Sequence, residues 1–64
     1  MKEEIYGLIS STSYYSIQEI MEGLNLPEED ILKVKNLLED GVDAREVERV
    51  LKHGKPWYRR KPVE

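Results

Sequence analysis

The chain contains no cysteine, so neither a disulfide nor a thiolate metal site can brace it. Its only histidine is His53, with no acid at a telling spacing, so no nucleophile–base–orienter set can be assembled. The four glycines, Gly7, Gly23, Gly41 and Gly54, are dispersed, which excludes a glycine-rich phosphate loop. Glu28, Glu29 and Asp30 lack the spacing of a calcium loop and read as a solvated helix start. No enzymatic activity, cofactor or metal is expected. No apolar run approaches the ~20 residues of a membrane span, and the opening MKEEIYGLISS lacks the basic-then-apolar layout of a secretion signal. A cytoplasmic setting without membrane contact is the expectation.

What is present is charge, unevenly placed, and helical periodicity. The 64 residues carry a formal net charge of −3. Residues 1–51 hold twelve acidic and five basic side chains, whereas residues 52–63 hold five basic and none acidic. A basic end on an acidic chain points to a charged partner. A domain this short buries only about 60% of its unfolded surface, so its core is thin and oligomerisation is one way to supplement it.

Four segments read as helices. Met1, Ile5, Leu8 and Ile9 form a stripe over roughly 2–10, followed by the polar loop SSTSYY. Ser16 and Glu19 make a capping box, with Tyr15 and Ile20 placed as a hydrophobic staple ahead of the stripe Ile17, Ile20, Met21 and Leu24. Pro27 and the acids after it open a third helix with apolar face Ile31, Val34, Leu37 and Leu38, stopping at Gly41. Asp43 and Glu46 form a second capping box, stapled by Val42 and Val47, for a fourth helix with stripe Val47, Val50 and Leu51, closed by His53 and Gly54. The rival for residues 46–62 is a β-hairpin turning near Gly54 and Lys55, in which Val47, Arg49 and Leu51 alternate but Val50 breaks the period. The expected fold is all-α: a helical domain over 1–54 with three or four helices, then a basic aromatic tail over 55–64.

Residues 3–41, EEIYGLISSTSYYSIQEIMEGLNLPEEDILKVKNLLEDG, resemble the opening of a helix-turn-helix or winged-helix domain. Ser16, Glu19 and Ile20 match the second helix of that superfamily, Leu24 to Pro27 the turn, and Ile31, Val34, Leu37 and Leu38 the buried face of the third. The resemblance implies a helix-turn-helix-like fold; residues 46–62, as a hairpin, would stand where the family carries its wing. It also implies DNA reading by the third helix, but that helix opens with three carboxylates, which oppose a polyanion. Relatives without DNA contacts use the scaffold to bind proteins.

On a fourth helix, Arg45, Arg49 and Lys52 would lie opposite the apolar stripe. Continued through Lys55, Arg59, Arg60 and Lys61, they form a basic strip around Trp57 and Tyr58. Arg and Lys neutralise phosphates, and aromatic rings stack on bases. Trp57 either folds back to seal the core or stacks on a ligand, while Tyr58 and its arginine neighbours stay at the surface. Tyr6, Tyr14 and Tyr15 read as core or boundary residues. The leading expectation is a regulatory or accessory protein that binds nucleic acid, DNA ahead of RNA, through these nine residues. The alternative is a protein-interaction module, homodimeric, that meets an acidic protein surface or another partner.

Overall fold

A computed structural model describes residues 1–62; residues 63 and 64, the end of the expected tail, lie outside the described residues. Three helices, α1 (Lys2–Leu8), α2 (Ile17–Gly23) and α3 (Ile31–Asp43), precede an antiparallel hairpin of β1 (Val47–Lys52) and β2 (Lys55–Arg60). A 3₁₀ turn, Glu28–Asp30, leads into α3. The core is built from Ile5 and Ile9, Ile20 and Met21, Val34 and Leu38, and Val47 and Tyr58, so every helix and both strands contribute to it.

The start of α2 follows the capping-box reading. The Glu19 amide donates to Ser16 Oγ at 3.1 Å, and the Ser16 amide donates to Glu19 Oε1 at 3.1 Å. Both helix ends that follow are closed by left-handed residues. Asn25 (φ 54°) follows α2, with the Leu26 amide donating to the Met21 carbonyl and the Asn25 amide to that of Glu22. Arg45 (φ 63°) follows α3, with Glu46 donating to Gly41 and Arg45 to Val42. This is the Schellman arrangement, which satisfies carbonyls left open at a helix end.

Several expectations are corrected here. The fold is α+β, because residues 47–60 form a hairpin and not a fourth helix. Asp43 does not cap a new helix but ends α3, and Arg45 then turns the chain away from helical geometry. His53 (φ 56°) and Gly54 (φ 73°) are the two central residues of the hairpin turn, both left-handed, as a two-residue type I′ connection requires. They therefore do not cap a helix. The division expected between residues 54 and 55 falls at this turn, and residues 55–60 form β2. Gly41 does not stop α3 either: it lies within the helix, buried, where a Cβ would come within 2.5 Å of Tyr6 Oη and 2.8 Å of Val47 Cγ2.

The register pairs Val47 with Arg60, Arg49 with Tyr58, and Leu51 with Pro56 on the inner face. Glu48 with Arg59, Val50 with Trp57, and Lys52 with Lys55 share the outer face. Val50, which breaks the apolar alternation of β1, is thus a cross-strand partner of Trp57. The free edge of β2 is covered by the loop before α2. Tyr15 and Tyr58 exchange backbone hydrogen bonds of 2.7 and 2.8 Å, and the Arg60 amide donates to the Ser10 carbonyl at 3.0 Å.

Candidate nucleic-acid interface

The hairpin distributes the nine expected contact residues among three different environments. Tyr58, expected at the surface, is completely buried, because alternation along β2 turns it onto the helices. Its hydroxyl donates to Glu39 Oε1 at 3.3 Å, and burial first, then the Glu39 charge, raises its pKa. Arg49 is drawn to the same carboxylate, with Nη1 donating to Glu39 Oε1 at 2.7 Å and to Oε2 at 2.9 Å. The hydrogen bond and the charge of Glu39 hold the Arg49 guanidinium more firmly protonated. Arg59 is engaged too: Nε donates to Glu48 Oε1 at 2.7 Å, and Nη1 donates to the Ser11 carbonyl at 3.2 Å. Its guanidinium also lies 5.0 Å from the Tyr14 ring centroid.

The continuous basic strip is consequently divided in two. At the tip, Lys52 and Lys55 face each other across the strands, with His53 in the turn between them, all three exposed. Among the described residues, neither lysine makes an ion pair. At the base, Arg45, Arg60 and Lys61 surround a cavity of about 290 Å³ together with Tyr6, Glu46 and Pro62. Glu46 there accepts from the Tyr6 hydroxyl at 3.2 Å and pairs with Lys2 at 3.6 Å. Burial, followed by the Glu46 charge, raises the Tyr6 pKa. Arg60 lies 5.8 Å from the Tyr6 ring centroid and donates from Nη1 to the Tyr6 carbonyl at 3.4 Å. Five residue steps along β2 separate the two clusters by about 17 Å.

Trp57 is half-buried on the outer face and lies outside the main core, with the Lys55 ammonium 5.3 Å from its ring centroid. Its indole N–H is shielded from solvent and has no acceptor among the described residues. Beside it runs an open groove of about 610 Å³ lined by Thr12, Ser13, Tyr14, Val50, Lys52, His53 and Trp57. That volume lies within the ~300–1,000 Å³ range of small-ligand sites. No carboxylate is among the lining residues.

Thr12, Ser13 and Tyr14 were not expected at a site. A signal for Tyr14 existed: it adjoins Tyr15, and neighbouring residues of an extended segment project to opposite sides. Pairing of Tyr15 with Tyr58 therefore leaves Tyr14 on the outside. Among the described residues, no cluster of His, Cys, Asp and Glu is arranged to hold a metal ion, and no helix is long and apolar enough to cross a membrane. No family model matches the chain, and neither the curated proteins nor the solved structures contain a match.

Proposed function

We propose that the chain is a small nucleic-acid-binding protein, an accessory factor in transcription or replication and not an enzyme, that engages its target with the outer face of the hairpin. The observation that carries this reading is the groove beside Trp57. Tyr14, Trp57 and Val50 line it beside Thr12 and Ser13, Lys52 and His53 stand at its rim, Lys55 lies 5.3 Å from the Trp57 ring centroid, and the lining contains no carboxylate. Lys52 and Lys55 contact phosphates, and Trp57, Tyr14 and Val50 contact a base or sugar. Arg45, Arg60 and Lys61 supply a second set of phosphate contacts at the hairpin base. Three helices followed by a hairpin are also the layout of winged-helix domains, which favours DNA over RNA as the target. Glu28 and Glu29, exposed before α3, argue that the hairpin leads and not that helix.

The test is fluorescence anisotropy with labelled duplex DNA, single-stranded DNA and RNA at two salt concentrations. Affinity is expected to fall steeply with salt and to drop when Lys52 and Lys55 are both replaced by alanine. Absence of binding to all three probes at low salt would remove the proposal. A second reading, a protein-interaction module, is favoured by a separate observation: Ile31, Leu32 and Leu51 stand exposed at the opposite face of the hairpin tip.

A further inference from the structure

The exposed apolar residues are not scattered. Leu51 is 73%, Leu32 67% and Ile31 45% exposed. β1 runs back along α3: Val47 packs on Gly41, Arg49 reaches Glu39, and Pro56, the cross-strand partner of Leu51, shares a shallow apolar cavity with Ile17 and Ile31. Leu51 therefore arrives beside the first turn of α3. Ile17, Ile31, Leu32, Leu51 and Pro56 make one apolar end of the molecule, on the side of the hairpin away from the Trp57 groove.

The charges around Leu32 follow a pattern. Three and four residues before it stand Glu29 and Glu28; three and four residues after it stand Lys35 and Asn36. All four are exposed. Lys35 and Asn36 lie on the Leu32 side of α3 by their i+3 and i+4 spacing, and Glu29, three residues back in the 3₁₀ turn with three residues per turn, falls in line with Leu32. Asp30 is already paired with Lys33 at 3.9 Å, but among the described residues Glu28, Glu29 and Lys35 make no ion pair.

We propose that this end binds a second copy of the chain in a two-fold symmetric dimer with Leu32 near the axis. In an antiparallel crossing about Leu32, the first turns of α3 on one copy lie over the 3₁₀ turn Glu28–Asp30 that leads into α3 on the other. Lys35 then faces Glu29 of the second copy, and Glu29 faces Lys35, so each favourable contact occurs twice. A surface of one charge sign would repel its own copy; the acid-before, base-after order makes this one self-complementary in that orientation alone. Ile31, Leu51 and Pro56 flank the leucines and extend the apolar contact. A standard interface covers about 800 Å² per partner, a modest share of the 4653 Å² this chain exposes. The dimer shields apolar surface that the thin core cannot absorb. It leaves the outer faces of both hairpins open, and it does not depend on the nucleic-acid reading.

Sedimentation equilibrium of the full chain tests the dimer. The wild type is expected to show a reversible monomer–dimer equilibrium, and Leu32→Asp to sediment as a monomer with an unchanged circular dichroism spectrum. Glu29→Lys and Lys35→Glu, each alone, weaken self-association by about tenfold, because two attractive contacts become repulsive. An equimolar mixture of these two single variants recovers a tight heterodimer, since both contacts are again between opposite charges. A wild type that stays monomeric to about 1 mM, where any association would be weaker than ~4 kcal/mol, overturns the proposal. So does a dimer indifferent to both charge reversals, or a mixture that associates no better than its components.

Discussion

Arg49 and Glu39 form a two-point contact from β1 to α3, with one guanidinium nitrogen 2.7 and 2.9 Å from the two carboxylate oxygens. Glu39 simultaneously accepts from Tyr58 on β2, so one carboxylate fastens both strands to the helix. Arg49 is thereby a structural residue, although its spacing from Arg45 and Lys52 suggested a phosphate contact. Arg49→Ala is expected to leave the salt dependence of nucleic-acid binding unchanged, while Lys52→Ala and Lys55→Ala each reduce the slope of log K against log salt by about 1. Anisotropy titrations of the three variants across a salt series check this. An equal reduction in slope for Arg49→Ala would return that residue to the interface.

Gly41→Ala tests the close approach of α3, Tyr6 and β1. Alanine is the better helix former by about 1 kcal/mol, so an unconstrained site would be stabilised. Here the added methyl would stand 2.5 Å from Tyr6 Oη and 2.8 Å from Val47 Cγ2. The tyrosine tip can move, but Val47 is a buried core residue and the hairpin would have to shift with it. Overpacking of this kind costs about 1–3 kcal/mol, and a net loss is expected. Urea denaturation of the two proteins measures it; a more stable variant would mean that the helix–hairpin contact gives way without cost.

Arg45→Gly is expected to change stability and binding in opposite directions. Arg45 holds φ at 63°, a region that costs a residue with a Cβ roughly 1 kcal/mol and costs glycine little. Its exposed side chain makes no ion pair among the described residues, so the substitution should raise the urea midpoint. In the proposed interface it also removes one of the basic groups at the hairpin base, and the salt slope should fall by about 1. Paired denaturation and anisotropy measurements read both effects.

The helical half of this fold was legible because its signals are local. Ser16 and Glu19 are three residues apart, and their reciprocal bonds form without reference to the rest of the chain. The hairpin was less legible because its deciding features depend on tertiary contacts. Asp43, Glu46, Val42 and Val47 satisfy a helix-start pattern, yet the Schellman closure at Arg45 and the burial of Val47 against Gly41 override it. Val50 argued against a strand only while one face of that strand was assumed to be wet; Trp57 supplies the missing partner on the other face. The turn itself was placed one residue too late: Gly54 was read as its first central residue, whereas His53, one of the non-glycine types enriched at left-handed positions, precedes it. The candidate site suffered from the same dependence on pairing. Charge density drew attention to residues 52–61, but only the strand register and the positions of Glu39 and Glu48 decide which of these cations are paired.

Tyr58 gives the fold a specific alkaline sensitivity. Burial, with Glu39 adding to it, raises its pKa above the ordinary value of 10.0, so the native state favours the neutral phenol. Below pH ~10 the phenol is protonated in both native and unfolded chains, and its contribution to stability is fully present. As pH rises past that point, the unfolded chain releases the proton first, and stability is lost progressively until the higher native pKa is passed. Tyr6, whose pKa is also raised, acts in the same direction. The urea midpoint of the wild type is therefore expected to be steady approaching pH 10 and to fall beyond it. Tyr58→Phe retains most of the buried ring and removes the ionisable hydroxyl. It should cost about 1 kcal/mol near neutrality, as a single hydrogen bond does, and show a shallower alkaline fall, with Tyr6 providing what remains. An alkaline slope identical to that of the wild type would show that the Tyr58 hydroxyl is not held neutral by its position against α3.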